Sequence, residues 1–227
     1  MFTQWQAPAP GGGDSMEMAL VLDRSRAGRL LVIPPFFDEH NKFRRQAVEI
    51  MRALDLAGID TFLPDLPGTN ESRSNLEAQT LSDWRIAARS AATRFRATHA
   101  FAIRSGALLL PDGIPAIAYA PQKGSQLLRG LVRARTIAAR EAGREEKAPD
   151  IMDIARERGI ELSGWHLGPT MVRELEHADY QRGSEDRVIE QAEVGGTPLW
   201  LRAEPDEDPA QAAALAGNLA TAIGSDK

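Results

Sequence analysis

Arg104 and Ser105 stand side by side just after the short apolar run His99-Ala100-Phe101-Ala102-Ile103, and Gly106-Ala107-Leu108 follows them. The run is too short for a helix and reads as a buried strand entering a tight turn. Ala102 and Gly106 keep the flanks of that turn small. Two chemistries fit the pair. Ser105 is a candidate nucleophile, displaced by one residue, and His40 is a candidate base that could activate a water. Arg104 is a candidate anion-binding residue, because its guanidinium is permanently charged and the start of a helix lies behind it. Each has a plainer reading. Ser105, one position past the apex, points toward the first helical turn, where serine serves as a cap. Arg104 forms an ion pair with Glu39 or Asp65, and Asn41 adds a neutral hydrogen bond. His40, in the polar stretch Asp38-Glu39-His40-Asn41, is a helix-start residue.

The other candidates are fewer. Phe36 and Phe37 follow a long apolar run, and their side chains suit the lining of an apolar pocket. His166 falls in Gly164-Trp165-His166-Leu167-Gly168, where packing competes with catalysis, while His99 lies behind the cleft and His177 at the surface beside Asp179. The histidines are scattered and pair with no carboxylate cluster, so no metal is expected. Gly11-Gly12-Gly13 precedes no strand-to-helix phosphate loop, and no cofactor is expected.

The elements that position these residues follow in chain order. Residues 1–15, ending in Pro8-Ala9-Pro10-Gly11-Gly12-Gly13-Asp14-Ser15, read as an irregular arm. Glu17–Leu22 and Arg29–Pro34 read as strands of a hairpin around Asp23–Gly28. A helix carries Phe43, Ala47, Met51 and Leu54 to a stop at Gly58, and Thr61–Gly68 is a further strand breaking into a turn. Thr80 or Ser82 caps a helix with Trp84, Ala88, Ala91 and Phe95 on one face. Beyond Arg104 come a very short helix, the strand Ile114–Ala120, and a long helix over about 125–142. Residues 144–180 suit a lid of two short helices. Arg187–Val194 and Pro198–Ala203 are the last strand candidates, and an alanine-rich helix over about 209–223 ends the order. Alternation of strand and helix predicts an α/β fold with a mostly parallel sheet, one domain over 16–227. Ligands of such sheets bind beyond the carboxyl ends of the strands, where loops 34–41, 65–72 and 104–107 converge.

Composition narrows the function classes. With 43% apolar and 26% charged residues, the 227-residue chain is that of a globular protein with a full core. A net charge of -5 argues against nonspecific nucleic-acid binding, and the absence of cysteine removes disulfides and thiol nucleophiles. No apolar run approaches the ~20 residues of a membrane span. The first residues lack a signal-peptide order, so the cytoplasm is the expected compartment.

Taken together, the segments Leu31–Arg45, Leu63-Pro64-Asp65-Leu66-Pro67-Gly68, Trp84-Arg85, the Arg104 turn, Pro121–Arg129 and Gly159–Glu176 resemble the α/β-hydrolase superfamily. More closely, over residues 28–205, they resemble the second hydrolase-like protein associated with the exosortase A (PEP-CTERM) system, found beside exopolysaccharide genes. The resemblance implies a three-layer sandwich and a nucleophile elbow, G-x-S-x-G, at residues 102–106. It also implies that the loop carrying Phe36 and Phe37 supplies an oxyanion-hole amide. Against that pattern, Arg104 stands where the serine belongs. No histidine follows His177, so the final strand-plus-histidine segment is expected to be missing. Asp206 and Asp208 could stand at the acid position, but without a histidine they read as solvated loop acids. The implied function is an accessory or binding role with a degenerate catalytic site in an exosortase and exopolysaccharide system. Its expected partners are a small anionic or acyl ligand or a protein of that system. The alternative is an active ester or thioester hydrolase with a noncanonical site.

Overall fold

The computed structural model describes residues 1–202 and 206–225. In chain order the elements are β1 (Phe2–Pro8), β2 (Asp14–Leu22), β3 (Arg29–Ile33), α1 (Asp38–Leu56), β4 (Asp60–Pro64), α2 (Leu81–Arg94), β5 (His99–Ile103), β6 (Ala116–Tyr119), α3 (Gly124–Glu141), α4 (Ala148–Arg158), β7 (Ile160–Leu162), β8 (Trp165–Leu167), α5 (Pro169–His177), β9 (Arg187–Ile189), α6 (Gln191–Val194) and α7 (Pro209–Ser225). Short 3-10 turns cover Leu76–Ala78, Arg104–Leu109 and Leu199–Leu201.

Among the described residues, seven strands form one sheet in the order β1-β2-β4-β3-β5-β6-β9. The five from β4 to β9 run parallel, and β2 and β1 extend the sheet antiparallel at one edge. Alternation along β3 explains the layering. Leu31 and Ile33 face a core shared with α2, α3 and α5, while Leu30 and Val32 face a core shared with α1 and α7. A strand covered on both faces is therefore continuously apolar, as 30–33 is. α2 starts at Thr80, whose hydroxyl accepts from the Asp83 amide at 3.0 Å while the Asp83 carboxylate accepts from the Thr80 amide at 3.1 Å, a reciprocal cap. Among the described residues no helix is long and apolar enough to cross a membrane.

Three expectations are corrected. Residues 1–15 are not an irregular arm: β1 pairs with β2 from Phe2↔Leu20 to Pro8↔Asp14. Buried Trp5 and Ala7 alternate with exposed Gln4 and Gln6, a period of two that the Pro- and Gly-rich turn after it obscured. Nor do β2 and β3 form a hairpin, because β4 lies between them. The connection arches over the start of β4, where the fully buried Asp60 carboxylate accepts from the amides of Arg24 at 3.0 Å and Arg26 at 2.8 Å. Near the end, only Arg187–Ile189 is strand; residues 191–194 are helical and 199–201 form a 3-10 turn, while Ala203 lies outside the described residues. Among the described residues β9 is the sheet's far edge, and α7 returns across it to pack Leu215, Leu219 and Ile223 with Phe43, Ile50 and Leu54 of α1.

The segment read as a lid contains α4, the β7–β8 hairpin and α5. Ile151, Ala155, Leu162, Leu167 and Val172 bury into the same core as α2 and α3. Ser82 at the start of α2 donates to Glu174 through both its amide, at 3.0 Å, and its hydroxyl, at 2.6 Å. The segment is thus part of the packed layer on that face, and its hairpin tip reaches over the strand ends.

Candidate functional site

β5 delivers Arg104 into a turn that glycine makes possible. A Cβ at Gly106 would lie 2.6 Å from the carbonyl oxygens of both Ile33 and Pro34, closer than any real contact. The elbow therefore presses against the end of β3, and only glycine fits. Gly106→Ala is expected to lower the urea midpoint, with a loss of about 1–3 kcal/mol typical of overpacking.

Arg104 itself takes φ 53°, a left-handed conformation that is costly for a residue with a Cβ. Phe37 (φ 54°), Asn70 (φ 47°) and Ala120 (φ 44°) do the same around it, four of the seven such non-glycine residues among those described. Each costs on the order of 1–3 kcal/mol, and such outliers concentrate at functional sites. The convergence of loops at the strand ends is real, and it is conformationally strained.

The Arg104 side chain is held from three sides. Its Nε donates to Glu39 Oε2 at 3.1 Å and its Nη2 to Glu39 Oε1 at 3.2 Å, a two-pronged ion pair. Nη1 donates to the Ala120 carbonyl at 3.3 Å. The guanidinium lies over the Trp200 ring, 4.2 Å from its centroid, while Tyr119 meets that ring edge-on and Phe43 stacks on it. Only 13% of the Arg104 side chain and 17% of the Glu39 side chain remain exposed. Of the two candidate carboxylates, Glu39 is the partner. Asp65 is engaged elsewhere, and Asn41 is exposed on α1 with no hydrogen bond to Arg104.

A second cluster adjoins the first through the neighbouring residue on α1. His40 is buried, and its Nε2 lies 3.2 Å from Asn70 Nδ2 and 3.4 Å from Arg44 Nη1. Asn70 and Arg44 both donate to the buried Asp65, at 2.5 Å and 3.3 Å. Burial pushes the His40 ring down to about 4, the Arg44 charge adds to that, and a hydrogen bond with the Pro35 backbone opposes both. The ring is neutral at pH 7. It occupies the first turn of α1, as the helix-start reading expected, and faces inward.

Ser105 is fully buried and its Oγ accepts from the Phe36 amide at 2.9 Å. That amide belongs to the loop from which an oxyanion hole would be drawn, and it is already occupied. No hydrogen bond joins Ser105 to His40 among the described residues. Phe36 packs 5.1 Å from Trp84, and Phe37 lies 5.6 Å from Trp165 at the hairpin tip, whose Nε1 donates to Asp38 at 2.9 Å. Phe36, Phe37, His40, Asn70, Trp84 and Trp165 enclose a cavity of about 20 Å³. That is room for about one water, not for a substrate.

The remaining candidates lie apart from both clusters. His166 and His177 are exposed, and His99 is buried at the opposite end of β5. Asp206 and Asp208 both pair with Arg202, at 2.6 Å and 3.0 Å; Asp206 is exposed, as a solvated loop acid would be, while Asp208 is half-buried. Among the described residues no group of three His, Cys, Asp or Glu could hold a metal ion. Sequence reasoning missed Arg44, Asn70, Ala120, Trp165 and Trp200. Arg44 had a signal, since it stands one helical turn after His40 on the same face. The indole of Trp200 had none.

No family model matches this sequence, and no curated protein matches it by sequence. Solved structures do. The mouse α/β hydrolase domain-containing protein 10 superposes with a TM-score of 0.57 at 14% identity, covering 99% of this chain and 100% of its own. This chain has the α/β-hydrolase fold. The esterase domain of a Rhodothermus marinus protein gives a TM-score of 0.55 at 11% identity, covering 97% of each chain. A hydrolase from Agrobacterium vitis S4, described as putative, gives 0.52 at 14% identity, covering 77% of this chain and 70% of that one. At such identities the likeness establishes the α/β-hydrolase architecture and leaves the chemistry to the site.

Proposed function

We propose that this α/β-hydrolase-fold chain acts by binding, without a Ser-His-acid triad, as a cytoplasmic accessory component of an exosortase and exopolysaccharide system. The observation that supports the first half is Arg104, at the turn after β5 where the resemblance places the nucleophile, paired there with Glu39. The system itself is taken from the sequence resemblance. An anion offered to Arg104 would have to displace a two-pronged carboxylate, which favours a protein partner over a small anionic or acyl ligand at this point. The competing reading is an ester or thioester hydrolase using Ser105 or a water activated by His40. It is weakened by the buried, already bonded Ser105 hydroxyl and by a cavity of only about 20 Å³.

A fluorophosphonate serine probe tests the choice, since it labels activated serines only. Purified protein is expected to show no adduct by intact mass, and a panel of p-nitrophenyl acyl esters is expected to turn over no faster than with Ser105→Ala or His40→Ala. Stoichiometric labelling at Ser105, or turnover abolished by either substitution, would favour the hydrolase.

A further inference from the structure

α3 carries arginines that meet no carboxylate. At 100° per residue, Arg129, Arg133 and Arg140 fall within about 40° of one another on the helix, a row about 16 Å long. All three are exposed, and none has an ion pair or side-chain hydrogen bond among the described residues. Glu146 holds Arg135 and Arg144, and Glu176 holds Arg156, while Glu141 and Glu145, close to Arg140 along the chain, form no ion pair with it among the described residues. On a chain of net charge -5, three unpaired arginines in a row are a local field of the opposite sign.

Arg129 and Arg133 also line a groove of about 840 Å³ between α3 and α4, closed at one end by the C-terminus of α5. Leu128, Val132 and Met152 form its apolar floor. Gly130 lies on the same wall, in the interior of α3, where glycine weakens a helix. A Cβ there would meet nothing within 4 Å, so the chain's own packing does not require glycine. Its bare backbone permits a close approach from outside.

We propose that this groove docks an acidic amphipathic helix of a partner protein, with apolar residues over Leu128, Val132 and Met152 and carboxylates toward Arg129, Arg133 and Arg140. The recessed floor favours a helix, which can enter a concave groove where a flat bilayer cannot. A nucleic-acid strand would satisfy the arginines and leave the floor uncovered. A small ligand would remain half exposed in so open a cleft. The proposal gives the accessory reading its partner and rests on it only to that extent. Peptide binding and probe labelling at Ser105 are read separately, so either can fail alone.

The test uses the full chain and a fluorescent synthetic helix of about four turns, with leucines on one face and glutamates flanking them, followed by anisotropy. A matched peptide with lysine for glutamate is the control. The acidic peptide is expected to bind and the basic one not. Arg129→Glu with Arg133→Glu should weaken the acidic peptide by roughly tenfold or more and admit the basic one. Gly130→Leu should block docking while leaving the melting temperature equal or higher, so loss of binding is not loss of fold. Equal affinity for both peptides, unchanged binding to Gly130→Leu, or tighter binding of anionic vesicles or single-stranded RNA through the same arginines would overturn the proposal.

Discussion

Arg104→Ala is expected to melt about 9 °C below the parent protein, a loss on the order of 3 kcal/mol for a chain of this size. The loss comes chiefly from what remains. Glu39 is left at a site where its side chain is only 17% exposed, and the cation that spanned both its oxygens is gone. The Trp200 face also loses its cation, and the Ala120 carbonyl loses a donor. Removing one member of a largely buried pair costs far more than removing both. Arg104→Met combined with Glu39→Leu should therefore recover most of the stability lost by Arg104→Ala, and the two sites should couple strongly in a double-mutant cycle. Two results would count against this account: an Arg104→Ala variant that melts with the parent, or single-site losses that simply add. Arg104→Ser belongs in the same series. It puts a hydroxyl at the turn and should still give no esterase, because His40, in the adjoining cluster, is engaged by Asn70 and Arg44 and has no hydrogen bond to residue 104 among the described residues.

The turn after β5 was legible because its constraints are steric and local. A buried five-residue run, a small residue before the turn and a glycine after it leave few alternatives, and the contact of Gly106 with the end of β3 is the physical content of that pattern. The ion pair was legible for a related reason. A cation at the strand ends needs a carboxylate from a converging loop, and residues 34–41 and 65–72 offered only a few. What the sequence could not show is the wall opposite. Trp200 comes from a stretch that looks like a strand, is a 3-10 turn, and reaches Arg104 only because α7 folds back beside α1. Similarly, Pro8 to Gly13 suggested an irregular arm, whereas those residues close the β1–β2 hairpin, and in β1 the alternation is carried by only two buried side chains, Trp5 and Ala7. The place of β4 between β2 and β3 depends on Asp60 accepting two backbone amides more than thirty residues earlier, a long-range choice that no local pattern encodes.

Acid should destabilise the protein in a window that belongs to His40. The ring is pushed down to about 4 in the folded chain, from an ordinary value of 6.5. Above 6.5 both the folded and unfolded chains hold a neutral ring, and the stability is fully present. Between 6.5 and 4 the unfolded chain takes up a proton that the folded chain refuses, so stability falls as the pH falls; below 4 this contribution is spent. The window amounts to about 3 kcal/mol in all, with about 2 kcal/mol lost by pH 5. Burial is the main reason the ring stays neutral; Arg44 adds to it by repelling a second positive charge, and Asp65 is already shared between Arg44 and Asn70. Carboxylates held low by their partners, such as Asp23 beside Arg29 and Glu176 beside Arg156, contribute losses of the same sign only nearer and below pH 4. The interval from pH 7 to 5 is therefore diagnostic. Urea midpoints should fall across it in the parent and stay nearly level in His40→Gln, which removes the titrating ring and keeps a neutral side chain. In the parent, the ring-carbon resonances of His40 should not titrate above pH 5. A His40→Gln variant with the parent's slope would assign the acid limb to another group and leave the ring's burial without consequence for stability.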